Sequence, residues 1–163
     1  MLTANAHLTI ARRLVLLTLL LVAASACSVK FVADYDAATF EEILKTGKIV
    51  DRFYGDLLEA PEGQRKYATY SARYVEVETD IRSLLTRNQV RPLNTESIKI
   101  NETILNLWDK YKANHKKNDT YGTGIAQLDR GRFLRLFKAA ADAETAKRLD
   151  SEDKDSNKDS KSK

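Results

Sequence analysis

The stretch YATYSARYVEVETDIRSLL, residues 67–85, decides the fold. Tyr67, Tyr70, Tyr74, Val77, Ile81 and Leu84 recur at spacings of three, four, three, four and three. At 3.6 residues per turn, an α-helix brings residues so spaced onto one face. Lys66, Arg73, Glu76 and Asp80 fall on the opposite side. Glu62 with Lys66 and Glu78 with Arg82 add i, i+4 pairs of ~0.3 kcal/mol each. The spacing predicts a long amphipathic helix over about 62–88, with one apolar stripe to bury.

Pro61 and Pro92, the two prolines of the chain, bracket this helix. A proline disfavours helical backbone in the residue before it, so both are boundaries. Upstream, about 37–59, the seam is Phe40, Ile43, Gly47, Val50, Tyr54 and Leu57, widened by Leu44, Phe53 and Leu58. Thr39 with Glu42 fits a capping box. Gly47 and Gly55 each cost ~1 kcal/mol relative to alanine, so they mark either close helix approach or weak points. Downstream, about 95–116, Asn94 is placed as the cap, with Leu93 and Ile98 as a hydrophobic staple. Ile98, Ile104, Leu105, Trp108 and Tyr111 form the apolar side of that helix. NDTYGTG, residues 118–124, is a turn by composition. A fourth helix, about 125–149, carries Ile125, Leu128, Phe133, Leu136, Phe137 and Ala140.

Four helices of twenty-odd residues joined by short links run antiparallel. The expected fold is all-α, an up-down-up-down four-helix bundle over 37–149. The alternative is a helical hairpin that pairs with a second copy, since a seam near 3.5 residues also suits a coiled coil. DSEDKDSNKDSKSK, residues 150–163, has no apolar side chain and reads as a disordered polar tail.

The N-terminus has a different organisation. Arg12 and Arg13 precede LVLLTLLLV (14–22), and the small residues Ala23, Ala24, Ser25 and Ala26 lead into Cys27, the only cysteine. Charged, apolar, then small is the order of a secretory signal peptide. The apolar part falls short of the ~20 residues of a membrane span. ASAC (24–27) resembles the lipobox of bacterial lipoproteins, with Ala24 where that family favours leucine. The resemblance implies that the Cys27 sulfur takes a diacylglycerol, that the chain is cut before Cys27, and that the new N-terminus is acylated. Residues 1–26 are then the signal peptide and 27–36 the lipidated N-terminus and tether. Two or more acyl chains give stable anchoring where one does not. Ser28 after the cysteine, by the same resemblance, implies passage to the outer membrane of a Gram-negative envelope, facing the periplasm. The remaining domain is similar in pattern to small helical lipoproteins of such bacteria, a likeness that assigns no activity.

Composition excludes several classes of function. Of 163 residues, 26 precede Cys27. Two of the 27 basic residues and none of the 23 acidic ones lie there, so the mature chain is near neutral at +2. That balance and the export signal argue against nucleic acid. His115 is the one histidine after Cys27, so no Ser-His-Asp or Cys-His set can be assembled. No Glu-x-x-His pair or phosphate-cradling glycine loop is present, and no cofactor or metal is expected beyond the acyl groups on Cys27. His115 reads as a partner for a helix C-terminus.

Two features carry candidate contacts. Tyr67, Tyr70 and Tyr74 share a helix face; they read as core with hydroxyls at a wet edge, or as an interaction face. Lys110, Lys112, Lys116 and Lys117 in KYKANHKK read as a solvated helix end, or as a contact for an anionic surface. The sequence thus leads to an envelope lipoprotein, not an enzyme, acting as a protein-interaction or structural module. Its partners are membrane lipid through Cys27, an envelope protein, or a second copy of itself. Alternatives are a carrier of a small apolar ligand between the helices, and an inhibitor or immunity-type protein of an envelope enzyme or toxin.

Overall fold

The computed structural model describes Arg12 and residues 31–159, with side chains described through residue 148. Four α-helices follow in order: α1 Ala37–Glu59, α2 Tyr67–Gln89, α3 Thr95–Asn118 and α4 Thr123–Asp159, with one 3₁₀ turn, Glu62–Gln64, between the first two. Each helix packs on its sequence neighbours and α4 closes back on α1, so the four form a square. One end gathers the start of α1, the end of α2 and the start of α3. The other gathers the end of α1 and the α3–α4 turn. This is the expected antiparallel bundle, made within one chain. Cys27, the signal segment apart from Arg12, and residues 160–163 lie outside the described residues.

The core is aromatic toward the α3–α4 turn. Trp108, Phe53, Tyr54, Tyr74 and Phe133 are essentially unexposed. The rings of Phe53, Tyr74, Phe133 and Tyr54 lie 5.0, 5.2, 5.8 and 6.4 Å from Trp108, mostly edge to face. Such pairs add stability beyond their buried area. The Trp108 indole N–H donates to the Tyr74 carbonyl (3.2 Å), which satisfies the one polar group of that side chain.

Toward the other end the interior turns polar. Thr39, Thr46, Asn88, Asn94, Ser97, Asn101, Glu144 and Lys147 are all buried there. Asn94 stands at the N-cap of α3, as expected from sequence, but its side chain makes no capping bond there. Its amide donates instead to the Asn88 carbonyl (3.1 Å) and side chain (2.8 Å), and its oxygen accepts from Lys147 (2.6 Å). Leu93, with φ at 60°, is half exposed and forms no buried staple. The capping box also moves: Asp36 is the N-cap of α1, accepting from the Ala38 N–H (3.1 Å) and the Thr39 hydroxyl (2.5 Å). Asp36 wins because aspartate accepts with a full charge at the positive end of a helix.

α4 departs from expectation twice. Ile125 and Leu128, read as core, are 60% and 63% exposed, and the inward seam runs instead through Ala126, Asp129, Phe133, Phe137, Ala140, Glu144 and Lys147. The helical backbone also continues to Asp159, ten residues into the stretch read as a tail. Extending an existing helix needs no new nucleus, and the segment holds neither proline nor glycine.

Gly47 is a point of close approach. A Cβ there would stand 3.1 Å from Cγ of Phe137, whereas one at Gly55 would meet nothing within 4 Å. Gly55→Ala is expected to stabilise the bundle by ~1 kcal/mol through helix propensity. Gly47→Ala is expected to show no such gain, because the packed Phe137 ring must shift. Urea midpoints of the two variants check the contrast.

Candidate functional site

The turns at the α3–α4 end are locked by charges exchanged between them. Arg65, buried in the α1–α2 link, donates to the carbonyls of Leu58 (3.2 Å), Ala60 (2.9 Å) and Tyr121 (3.1 Å). It thereby satisfies carbonyls that the end of α1 leaves open. Asp119 accepts from the Tyr67 N–H (3.0 Å) at the start of α2, and Glu62 from the Thr123 N–H (3.3 Å) at the start of α4. Each loop caps a helix belonging to another link.

His115 sits inside this arrangement and is 1% exposed. Its Nε2–H donates to the Arg65 carbonyl (2.8 Å), and its Nδ1 accepts from the Tyr74 hydroxyl (3.0 Å). It is a neutral core residue, not the charged partner of a helix C-terminus expected from sequence. Burial pushes its pKa below the ordinary 6.5, only partly countered by the Arg65 carbonyl and the Asp119 charge. The unfolded chain therefore binds this proton more readily. The His115 contribution to stability is complete above about pH 6.5 and falls as the pH drops below it. The unfolding free energy is expected to decline between pH 6.5 and 5 in the native chain, and much less in His115→Gln, by urea titration at each pH.

The tyrosine face is core. Tyr70 and Tyr74 are 6% and 0% exposed, and Tyr67 is half-buried against Tyr74, 5.7 Å between ring centres. Tyr70 and Tyr74 offer no surface to a partner, and the Tyr74 hydroxyl ends on His115 rather than in water. The four lysines have different surroundings. Lys112 is bound to Glu78 of α2 (2.8 Å), and Lys116 lies over the Tyr67 ring (5.9 Å). Lys110 and Lys117 are exposed. Lys116 and Lys117, in the last turn of α3, are at the end of the bundle remote from Asp36, about 35 Å away by the length of α1, and Lys110 and Lys112 lie about two turns short of that end. Cys27 lies outside the described residues.

The tether end is fixed by a buried ionic cluster that sequence reading missed. Glu144 accepts from Arg91 (3.0 and 3.2 Å), Lys147 (2.5 Å) and the backbone N–H of Asp36 (2.9 Å). Arg91 also donates to the Asp34 carbonyl, Lys147 to Ser97 (2.9 Å), and the Ala33 N–H to the Leu93 carbonyl (3.0 Å). Burial raises the Glu144 pKa, but the bonds from Arg91 and Lys147 outweigh it and hold the carboxyl below its usual range. Residues 33–36 are thus stitched to the α2–α3 link and α4.

On the outer side, α1 and α4 leave a groove of about 420 Å³ beside Gly47. Ile43, Gly47, Phe137 and Ala141 line it, and Leu44 and Leu134 stand at its edges, 47% and 50% exposed. The absence of a side chain at Gly47 keeps it open. Lys48, Asp51 and Lys138 rim it; Asp51 is paired with Arg130 (2.7 Å) and Lys138 with Asp142 (2.6 Å), which leaves Lys48 the unpaired charge.

No described helix is long and apolar enough to cross a membrane, and no group of three or more His, Cys, Asp or Glu among the described residues is placed to hold a metal ion. No protein family, no curated protein and no solved structure matches the chain.

Proposed function

We propose that the chain is a lipid-anchored envelope lipoprotein that acts by holding another envelope protein, without catalysis of its own. The anchor is the acylated Cys27 in the outer membrane, facing the periplasm. The observation that carries the reading is the α1–α4 groove, where the exposed Leu44 and Leu134 stand on facing helices beside one apolar cavity. Its occupant is an amphipathic helix: a groove between two helices takes an apolar stripe, and the unpaired Lys48 selects an acidic flank. The bonded segment 33–36 supports the same reading, since it brings the start of the folded domain to within a few residues of Cys27 in sequence. The filled aromatic centre counts against a ligand carried between the four helices.

Leu44→Glu and Leu134→Glu are expected to abolish copurification of one envelope protein with the full-length chain while leaving the circular dichroism of the bundle unchanged. Copurification unaffected by both would overturn the proposal. Labelled palmitate entering the native chain but not Cys27→Ala tests the anchor.

A further inference from the structure

A second cavity, of about 290 Å³, lies between α3 and α4 at the end remote from the tether. Its floor is aromatic and its charges are uneven. Asp129, 2% exposed, accepts from the Tyr121 hydroxyl (2.7 Å) and from Nη1 of Arg132 (2.9 Å). The same Arg132 nitrogen donates to the Tyr111 hydroxyl (2.9 Å), which leaves Nε and Nη2 of Arg132 uncommitted. Lys110, on the same wall as Tyr111, has no carboxylate of its own. The one acid in the cavity is therefore neutralised from within, while one cation is uncompensated and a second still has donors to give.

The apolar parts are as telling. Tyr111 and Tyr121 are buried rings under the opening, and Ile125 lines the cavity although it is 60% exposed. Ile125 shares that lining with Lys110, Arg132 and the two tyrosines, so one cavity joins an apolar side chain, two cations and two rings. The volume lies at the small end of ligand pockets, ~300–1,000 Å³, enough for one ring and an acid group.

We propose that this cavity binds a small aromatic anion, its carboxylate or phosphate between Lys110 and the free edge of Arg132, and its ring between Ile125 and the Tyr111–Tyr121 floor. A bidentate guanidinium and a nearby ammonium suit either acid group. The site faces away from the tether, so its ligand comes from solution rather than from the anchoring membrane. The proposal stands independently of the α1–α4 groove.

The test is a titration of the ¹⁵N-labelled full-length protein in detergent micelles with benzoate, phenyl phosphate and the neutral benzamide, read by amide shifts. At least one anion is expected to give saturable shifts confined to residues 110–118 and 121–132, with benzamide at least tenfold weaker. Lys110 is exposed and unpaired, so Lys110→Glu keeps the fold; it is expected to weaken the anion at least tenfold. The proposal is overturned if neither anion saturates at millimolar concentration, if benzamide binds as well, if the shifts lie elsewhere, or if Lys110→Glu binds unchanged.

Discussion

Glu144→Ala is expected to lower the unfolding free energy by about 3–5 kcal/mol, the cost of leaving buried charges without their counter-ion. Glu144 is wholly buried and accepts four hydrogen bonds, from Arg91, Lys147 and Asp36. Its removal strands the Lys147 ammonium, which is 6% exposed and would keep only Asn94 and Ser97. The direction of the paired charges matters. Lys147→Met is expected to cost far less, because Glu144 then retains Arg91 and the methylenes of methionine fill the space of the lysine stem. Urea unfolding at pH 7, with the slope held constant across variants, checks both. Acid should reproduce the effect: the folded carboxyl is held below 4.5, so its contribution is present above that pH and is lost as the pH falls further. The same variant should free the tether. Amide exchange at Ala33 and Asp36, whose N–H groups bond to Leu93 and Glu144, should quicken in Glu144→Ala and not in Lys147→Met.

Trp108→Ala should cost a similar 3–5 kcal/mol, by a different route. Trp108 touches rings from all three other helices: Phe53 and Tyr54 from α1, Tyr74 from α2 and Phe133 from α4. An alanine there leaves a cavity that four rigid rings cannot close by rotation. Trp108→Phe keeps a ring and loses the hydrogen bond to the Tyr74 carbonyl, so it should cost roughly 1–2 kcal/mol, the indole bond and part of its volume. Near-ultraviolet dichroism, set by the packed aromatic cluster, should collapse in the alanine variant and persist in the phenylalanine one.

The fold was legible because α2 advertises it. Its six apolar seam residues keep an unbroken three-four spacing, and two prolines fix its neighbours. The polar half of the interior was not legible from hydropathy. Asn88, Asn94, Ser97, Glu144 and Lys147 have surface chemistry and are buried only because they answer one another. A signal did exist: Phe133, Phe137, Ala140, Glu144 and Lys147 continue the same four-three-four-three rhythm. Following the rhythm rather than the hydropathy places the ionic pair in the seam. The same rule places Ala126 and Asp129 inward and leaves Ile125 and Leu128 outside. Tyr121 escaped notice because a turn sequence hides its burial, and the reciprocal caps of Glu62 and Asp119 join links far apart in the chain. The α1–α4 groove had one trace in sequence, the glycine at 47, whose reading as close approach the Phe137 contact bears out.

We propose above that the α1–α4 groove holds a helix of another envelope protein. The most direct test is a photo-crosslinking amino acid placed in living cells at Leu44 or Leu134 of the full-length chain, with Val75, exposed on α2, as the control. One reproducible envelope protein is expected, joined at both groove positions through an amphipathic, acidic-flanked helical segment, and not at Val75. The same set of products at all three positions, or adducts only between copies of this chain, would contradict the proposal.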